Sequence, residues 1–178
     1  RHVSVMDYRP LIQHHAQTEA DVTVAVRRVN LHETHRFGIV STGADGRIVE
    51  FQEKPRRSPR NLASMGIYVF TARFLFEQLC QDANNPASGH DFGKNVIPSI
   101  INTHRVFAFP FRDENRKTDA YWRDVGTLDA YYQANMELVA VDPLLNLYDK
   151  PWPLRTYQPN LPPPKFVFSG PVGDENRV

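Results

Sequence analysis

Two short strings set charged side chains where they could do chemistry. FQEKP puts Glu53 beside Lys54 at the end of an apolar, β-branched run. Neighbours along a strand point to opposite faces, so these two charges meet only where the pleat breaks. Pro55 predicts such a break, and it also predicts an extended backbone at Lys54. A lysine fixed there offers a compact point charge to a phosphate; the alternative is a solvated ion pair at a strand end. YWRDVGTLDAY puts Asp124 between Trp122 and a Gly126-Thr127 helix start. A carboxylate beside a buried indole needs a partner. The candidates are a divalent cation, with magnesium the ion that carboxylates suit, an ion pair with Arg123, or an N-cap bond to the amide of Gly126 or Thr127.

Three further positions carry weaker signals. Ser64 opens the apolar run LASMGIYVF, where its hydroxyl either bonds a sugar hydroxyl or satisfies nearby backbone. Gly38, at a strand start in RFGIV, suits a bulge or the close approach of a ligand. HDFGKNVIP places His90, Asp91 and Lys94 in one loop, which a helix cap by Asp91 and a flexible Gly93 explain without catalysis.

The elements that must hold these residues can be read from periodicity. Asp7 is placed to cap a helix over 8–18, with Pro10 tolerated in its first turn. The VTVAV alternation predicts a strand over 21–29, and FGIVST and RIVEFQE flank an Asp-Gly turn, which predicts a β-hairpin. A strand over 63–70, buried on both faces, leads into a helix that starts at Thr71. Residues 94–103 read as a short helix despite Pro98, and 105–111 as an edge strand carrying Pro110. Thr127 is placed to cap a helix over 128–139 with Leu128, Tyr131, Tyr132, Ala134 and Leu138 on one apolar face. From Asp142 the chain becomes dense in proline and aromatics, and Pro162 to Pro164 exclude a helix or central strand there. That stretch reads as a linker ending in a strand over 165–168. Strands mixed with helices give an α/β class with a mixed sheet.

Composition narrows the function class. With 178 residues, 41% apolar, 23% charged and a net charge of +1, the chain has the makeup of an ordinary globular domain. Nothing in that balance points to nucleic acid. No apolar run approaches the roughly 20 residues that span a bilayer. The single cysteine, Cys80, excludes an internal disulfide and reads as a buried thiol of a reducing cytosol.

Read in order, EFQEKP, LASMGIYVF, GHDFGKNVIP, YWRDVGTLDAYYQANMEL and LYDKPWPLRTYQPNLPPPKFV resemble the glucose-1-phosphate adenylyltransferases, the bacterial ADP-glucose pyrophosphorylases of glycogen synthesis. The resemblance runs from MDYRPLI to KFVFSG, and DFGKNVIP and RTYQPNLPPPKFV separate that family from related uridylyl-, thymidylyl- and guanylyltransferases. It implies an enzyme that joins ATP to glucose 1-phosphate with magnesium, giving ADP-glucose and pyrophosphate. It implies that Glu53 binds sugar hydroxyls, that Lys54 binds the sugar phosphate, that Gly38 and Ser64 lie against the sugar, and that Asp124 holds magnesium. It further implies a cytoplasmic, allosterically regulated homotetramer.

The family's glycine-rich nucleotide loop is absent, and Arg1-His2 stands where the family has a metal-binding Asp before His. The loop PRRSPRN is also shorter than the family's connection. The expectation is therefore the carboxyl-terminal part of a Rossmann-like nucleotidyltransferase domain over 1–140. A Pro-rich linker and the first strand of a left-handed β-helix are expected over 141–178. Such a piece is expected to be inactive alone. The alternatives are another sugar-1-phosphate nucleotidyltransferase, such as a mannose-1-phosphate guanylyltransferase, or a non-catalytic regulatory subunit of the same fold.

Overall fold

The computed structural model describes residues 2–113, 118–119 and 121–147. In chain order the elements are β1 (His2–Ser4), α1 (Tyr8–Gln17), β2 (Val22–Arg28), a 3-10 turn (Leu31–Arg36), β3 (Gly38–Thr42), β4 (Ile48–Glu53) and β5 (Leu62–Phe70). There follow α2 (Ala72–Ala83), a π-turn (Phe92–Val96), α3 (Ile97–Ile100), β6 (Val106–Pro110), β7 (Arg112–Asp113), β8 (Thr118–Asp119), β9 (Trp122–Asp124) and α4 (Leu128–Leu138). The chain divides into two compact units, Arg1–Ala134 and Asn135–Val178. The strand expected over 165–168 lies outside the described residues.

A five-stranded sheet in the order β4-β3-β5-β2-β6 forms the middle of the first unit. β2 runs antiparallel to β5 and parallel to β6, so the sheet is mixed, and β6 is its edge, as Pro110 requires. Alternation along β2 sends Val22, Val24 and Val26 to one face and Ala25 to the other. The first face packs with Phe74 of α2 and Ile97 and Ile100 of α3; the second packs with Leu11 of α1, Phe37 and Trp122. Apolar side chains on both faces of one sheet produce three layers, α/β/α. Burying them is the main favourable term, of order 25 cal/mol for each Å² of apolar surface removed from water.

Local chemistry fixes the element ends. Asp7 accepts the Arg9 amide N–H at 2.9 Å and caps α1. The hairpin turn closes through Gly46 at φ +81, with Asp45 accepting the Arg47 amide. That conformation is open to glycine at no steric cost. β1 pairs with β9 antiparallel, which sets His2 opposite Asp124.

Four expectations change. β5 is fully buried only over Ala63, Ser64 and Met65; Ile67, Tyr68, Val69 and Phe70 pack against the two cores but stay partly exposed. The helix over 94–103 is instead a π-turn running into the single turn of α3, with Pro98 in that turn's first positions, where no intrahelical N–H is needed. Cys80 is exposed, since α2 turns Phe74 and Gln78 inward and Cys80 away from them. On α4, Ala134 is buried, whereas Leu128, Tyr131 and Tyr132 are exposed. Thr127 does cap α4, accepting the Ala130 amide at 3.2 Å.

Two histidines join α1 to the sheet. His15 Nδ1 lies 2.9 Å from the Thr23 hydroxyl and its Nε2 lies 3.3 Å from the Thr71 hydroxyl. The His14 ring packs against Phe107 and Phe109, and its Nε2 is buried with no hydrogen-bond partner. Burial pushes both imidazoles below the ordinary 6.5, with Asp21 partly opposing the shift at His15. A base whose pKa falls on folding takes up its proton more readily when unfolded, so stability drops as pH falls below about 6.5. Thermal melts from about pH 7.5 to about pH 5.5 are expected to show a falling Tm. His14→Leu is expected to flatten that slope, and an unchanged slope would remove His14 from the account.

Candidate functional site

The end of the β3–β4 hairpin carries the first group of candidate residues. β3 and β4 pair so that Gly38 lies opposite Glu53. A Cβ on Gly38 would stand 2.6 Å from Phe51 Cζ and 2.9 Å from Glu53 Oε2. A Cβ on Gly93 would stand 2.5 Å from the same Glu53 oxygen. The Glu53 carboxylate therefore occupies a slot that only two glycines leave open. No bulge lies at Gly38; the register shift of this pair falls between Ser41 and Thr42. What approaches Gly38 closely is the protein itself, the Phe51 ring and the Glu53 carboxylate.

Lys54 departs from the extended backbone expected before a proline and sits at φ +48. Such a conformation costs a side-chain-bearing residue of order 1–3 kcal/mol and collects at functional positions. Its amide still donates to Phe37 O at 3.0 Å, which holds the turn against β3. The break in the pleat brings Lys54 Nζ to 3.8 Å from Glu53 Oε1, with the lysine side chain mainly exposed and the glutamate only 19% exposed. Burial raises the Glu53 pKa above the ordinary 4.5; Lys54 opposes the shift, Asp91 adds to it and Lys94 opposes it.

Asp91 supplies the other side of this cleft. It accepts the amides of Gly93 and Lys94, both at 2.9 Å, and so caps the π-turn as expected. His90, at φ +53, turns its Nδ1 to Asp82 at 2.8 Å and forms no dyad with Asp91 or Lys94. Ser64 accepts the Gly66 amide at 3.2 Å, the backbone role, and its hydroxyl also lies 3.4 Å from the Tyr68 hydroxyl. Burial pushes the Tyr68 phenol up, its bond with Ser64 opposes that, and the charges of Glu53 and Asp91 add to it. Phe92 stacks on Tyr68 with ring centres 6.0 Å apart. Gly38 and Lys54 thus adjoin Glu53, while Ser64 and Phe92 both touch Tyr68, whose phenol feels the Glu53 charge.

Asp124 lies elsewhere, in a cavity of about 460 Å³ lined by Arg27, Arg28, Glu33, Arg36 and Trp122 among others. Its Oδ2 lies 2.9 Å from Arg36 Nη2 and its Oδ1 accepts the Gly126 amide at 3.2 Å. Thr127 takes the helix cap, yet Asp124 is not left facing a cleft unpartnered. Its cationic partner is Arg36, 88 residues away in sequence. Trp122 is buried against Phe37, with ring centres 5.2 Å apart, and this fixes the strand that bears Asp124. The chain segment Arg36–Phe37–Gly38 links the two places, since its first residue holds Asp124 and its last faces Glu53.

Sequence reasoning missed Tyr68, Phe92 and Arg36. Tyr68 had a signal: four residues after Ser64 on one strand, it falls on the same face. Arg36 had none, because its partner is distant in the chain.

A family model described as "Nucleotidyl transferase" matches residues 1–140. The chain belongs to the nucleotidyl transferase family. Among its relatives, the "Glucose-1-phosphate adenylyltransferase" of Rhodopirellula baltica is 58% identical over 99% of this chain and 40% of the relative. The "Glucose-1-phosphate adenylyltransferase 2" of Alkalilimnicola ehrlichii is 53% identical over 94% of the chain and 41% of the relative. The corresponding protein of Nitrosococcus oceani is 51% identical, with the same coverage of 94% and 41%. This nucleotidyl transferase chain therefore spans about two fifths of the length of these curated relatives. Among the described residues, no helix is long and apolar enough to cross a membrane.

The slot around Glu53 makes a structural prediction for this nucleotidyl transferase domain. Gly38→Ala drives its methyl into the buried Phe51 ring and is expected to cost about 1–3 kcal/mol. Gly93→Ala meets only the movable end of Glu53 and is expected to cost less than about 1 kcal/mol. Chemical denaturation of both variants checks the order, and equal losses would contradict the geometry.

Proposed function

We propose that the full-length protein carrying this chain is a glucose-1-phosphate adenylyltransferase, joining ATP and glucose 1-phosphate to give ADP-glucose and pyrophosphate. The observation that carries the reading is the Glu53 carboxylate held in a two-glycine slot beside Lys54. The names and 48–58% identity of the relatives support the choice of substrates.

In this reading Glu53 is an acceptor-only carboxylate that receives sugar hydroxyls. Such charge-assisted bonds are about twice as strong as neutral ones. Gly38 leaves room for the Glu53 carboxylate that meets the sugar, and Ser64 and the protonated Tyr68 hydroxyl are placed near it. Lys54, raised out of the strand at positive φ, meets the phosphate of glucose 1-phosphate with its point charge. A phosphate oxygen of the sugar attacks the α-phosphorus of ATP; that P–O bond forms as the bond to the pyrophosphate leaving group breaks. The residues contribute position and charge neutralisation, which is most of what phosphoryl chemistry needs.

Asp124 is the proposed magnesium carboxylate. The side chains around it do not fit a divalent ion as they stand, because Arg36 already holds its Oδ2 and Arg27, Arg28 and Arg123 line the same cavity. Magnesium binds through one or two carboxylates plus substrate phosphates rather than a full protein cage. Among the described residues no group of three or more His, Cys, Asp or Glu is placed to hold a metal ion. The same reading carries residues 1–140 as part of the catalytic domain and 141–178 as the linker and entry strand of a left-handed β-helix. It further carries a cytoplasmic homotetramer acting in glycogen synthesis under allosteric control.

Steady-state kinetics on the full-length protein test the assignment. Lys54→Ala is expected to raise KM for glucose 1-phosphate roughly ten- to a hundredfold, the worth of one charged hydrogen bond, while KM for ATP changes by less than about twofold. Equal loss for both substrates would overturn the role of Lys54. Glu53→Gln removes a buried charge whose cost grows as pH rises through its raised pKa. It is expected to weaken the sugar phosphate while leaving Tm at neutral pH unchanged or higher; a clear drop in Tm would mean the carboxylate is structural.

A further inference from the structure

The cavity beside Asp124 carries the charge that suits an anion. Its wall holds four guanidinium groups, Arg27, Arg28, Arg36 and Arg123, against two carboxylates, Glu33 and Asp124, which leaves two positive charges in excess. The whole chain has a net charge of only +1, so this is a local concentration and not a general basicity. A cleft lined by one sign of charge raises the local concentration of ions of the other sign. At about 460 Å³ the cavity falls in the range of small-molecule sites, roughly 300–1,000 Å³.

The acids of the wall already have partners. Arg36 bridges both, with Nη2 2.9 Å from Asp124 Oδ2 and Nη1 3.6 Å from Glu33 Oε1, and the other Asp124 oxygen accepts the Gly126 amide. An entering anion therefore meets the remaining arginines. Arg27 donates through Nη1 to the Trp122 carbonyl at 3.1 Å, and its guanidinium stands 5.7 Å from the centre of the Trp122 ring. Arg28 is exposed and donates to a neutral oxygen, Asn61 Oδ1, at 3.2 Å. Among the described residues no carboxylate pairs with it. A guanidinium has five donors in a planar fork, so one bond to an amide does not exhaust it. The place in the fold agrees. Arg27 and Arg28 end β2, which runs parallel to β6, and ligands of open α/β sheets bind outside the carboxyl ends of such strands.

We propose that this cavity is an anion site for a small phosphorylated metabolite, with Arg28 as the main grip on the phosphate dianion and Arg27 and Arg123 beside it. The arginine fork matches phosphate oxygens two at a time. Asn30, Asn61 and Gln133 also line the cavity and bring neutral amides that suit hydroxyl groups. Lys54 is not among the lining residues, and the site needs no metal at Asp124. Two sources share this chemistry, the phosphates of the nucleotide in the proposed reaction and a separate phosphorylated metabolite.

The test is equilibrium dialysis of radiolabelled inorganic phosphate against the full-length protein, with a metal chelator present. Lys54→Ala is the reference protein, because it removes the other proposed phosphate seat. Adding Arg28→Gln is expected to weaken binding roughly three- to tenfold, the worth of one partly screened charged contact. Adding Arg28→Lys instead keeps the charge and is expected to lose less. Affinity is also expected to fall as salt rises. Failure of the reference protein to bind phosphate, or unchanged binding with Arg28→Gln, would overturn the proposal. So would equal loss in the two Arg28 variants, which would mark a folding defect and not a lost charge. Saturating ATP separates the sources: phosphate displaced by ATP assigns the cavity to the nucleotide, and phosphate retained beside ATP assigns it to a second metabolite.

Discussion

The arrangement turns on one costly object, a carboxylate placed where its charged form is poorly solvated. Glu53 sits at the end of β4 with its oxygens against Gly38 on one side and Gly93 on the other. Burying an ion without partners is unfavourable, and here two lysines, Lys54 and Lys94, offset the burial while Asp91 works against it. The two glycines, the positive φ of Lys54 and the Asp91 cap on the π-turn all follow from keeping that site open. A core built on both faces of β2 gives the sheet the rigidity to hold such an edge.

The second charged centre shows the same economy at longer range. Asp124 is carried by β9, whose Trp122 packs on Phe37, the residue between Arg36 and Gly38. One short segment therefore sets Arg36 on Asp124 and Gly38 opposite Glu53. A shift of that segment would move both carboxylates together.

Much of this was legible in the sequence because it is local. The hairpin followed from Asp45-Gly46, the cap of α1 from Asp7, the cap of the π-turn from Asp91 and that of α4 from Thr127. Glu53, Lys54, Gly38 and Ser64 were readable as candidates; Gly38 and Lys54 lie against Glu53, and Ser64 reaches the Tyr68 hydroxyl. What failed were statements about what lies across space. Pro55 predicted an extended Lys54, but Lys54 sits at φ +48, with its amide held by the Phe37 carbonyl of the neighbouring strand. Cys80 was read as inward from its character and the α4 aromatics from their spacing, yet of that spaced face only Ala134 is buried and Cys80 is exposed. The Arg36–Asp124 pair joins residues 88 apart, and no periodicity carries such information.

The central claim is that the Glu53 carboxylate recognises sugar hydroxyls. Its most direct test is a cycle that pairs Glu53→Gln with analogues of glucose 1-phosphate lacking one hydroxyl at a time, read by calorimetric binding to the full-length protein. At least one deoxy analogue should bind the wild type about tenfold or more weakly than glucose 1-phosphate, yet bind Glu53→Gln no worse than the parent sugar does. If every analogue lost as much affinity in Glu53→Gln as in the wild type, Glu53 would not touch the sugar, and the account of the cleft would be wrong.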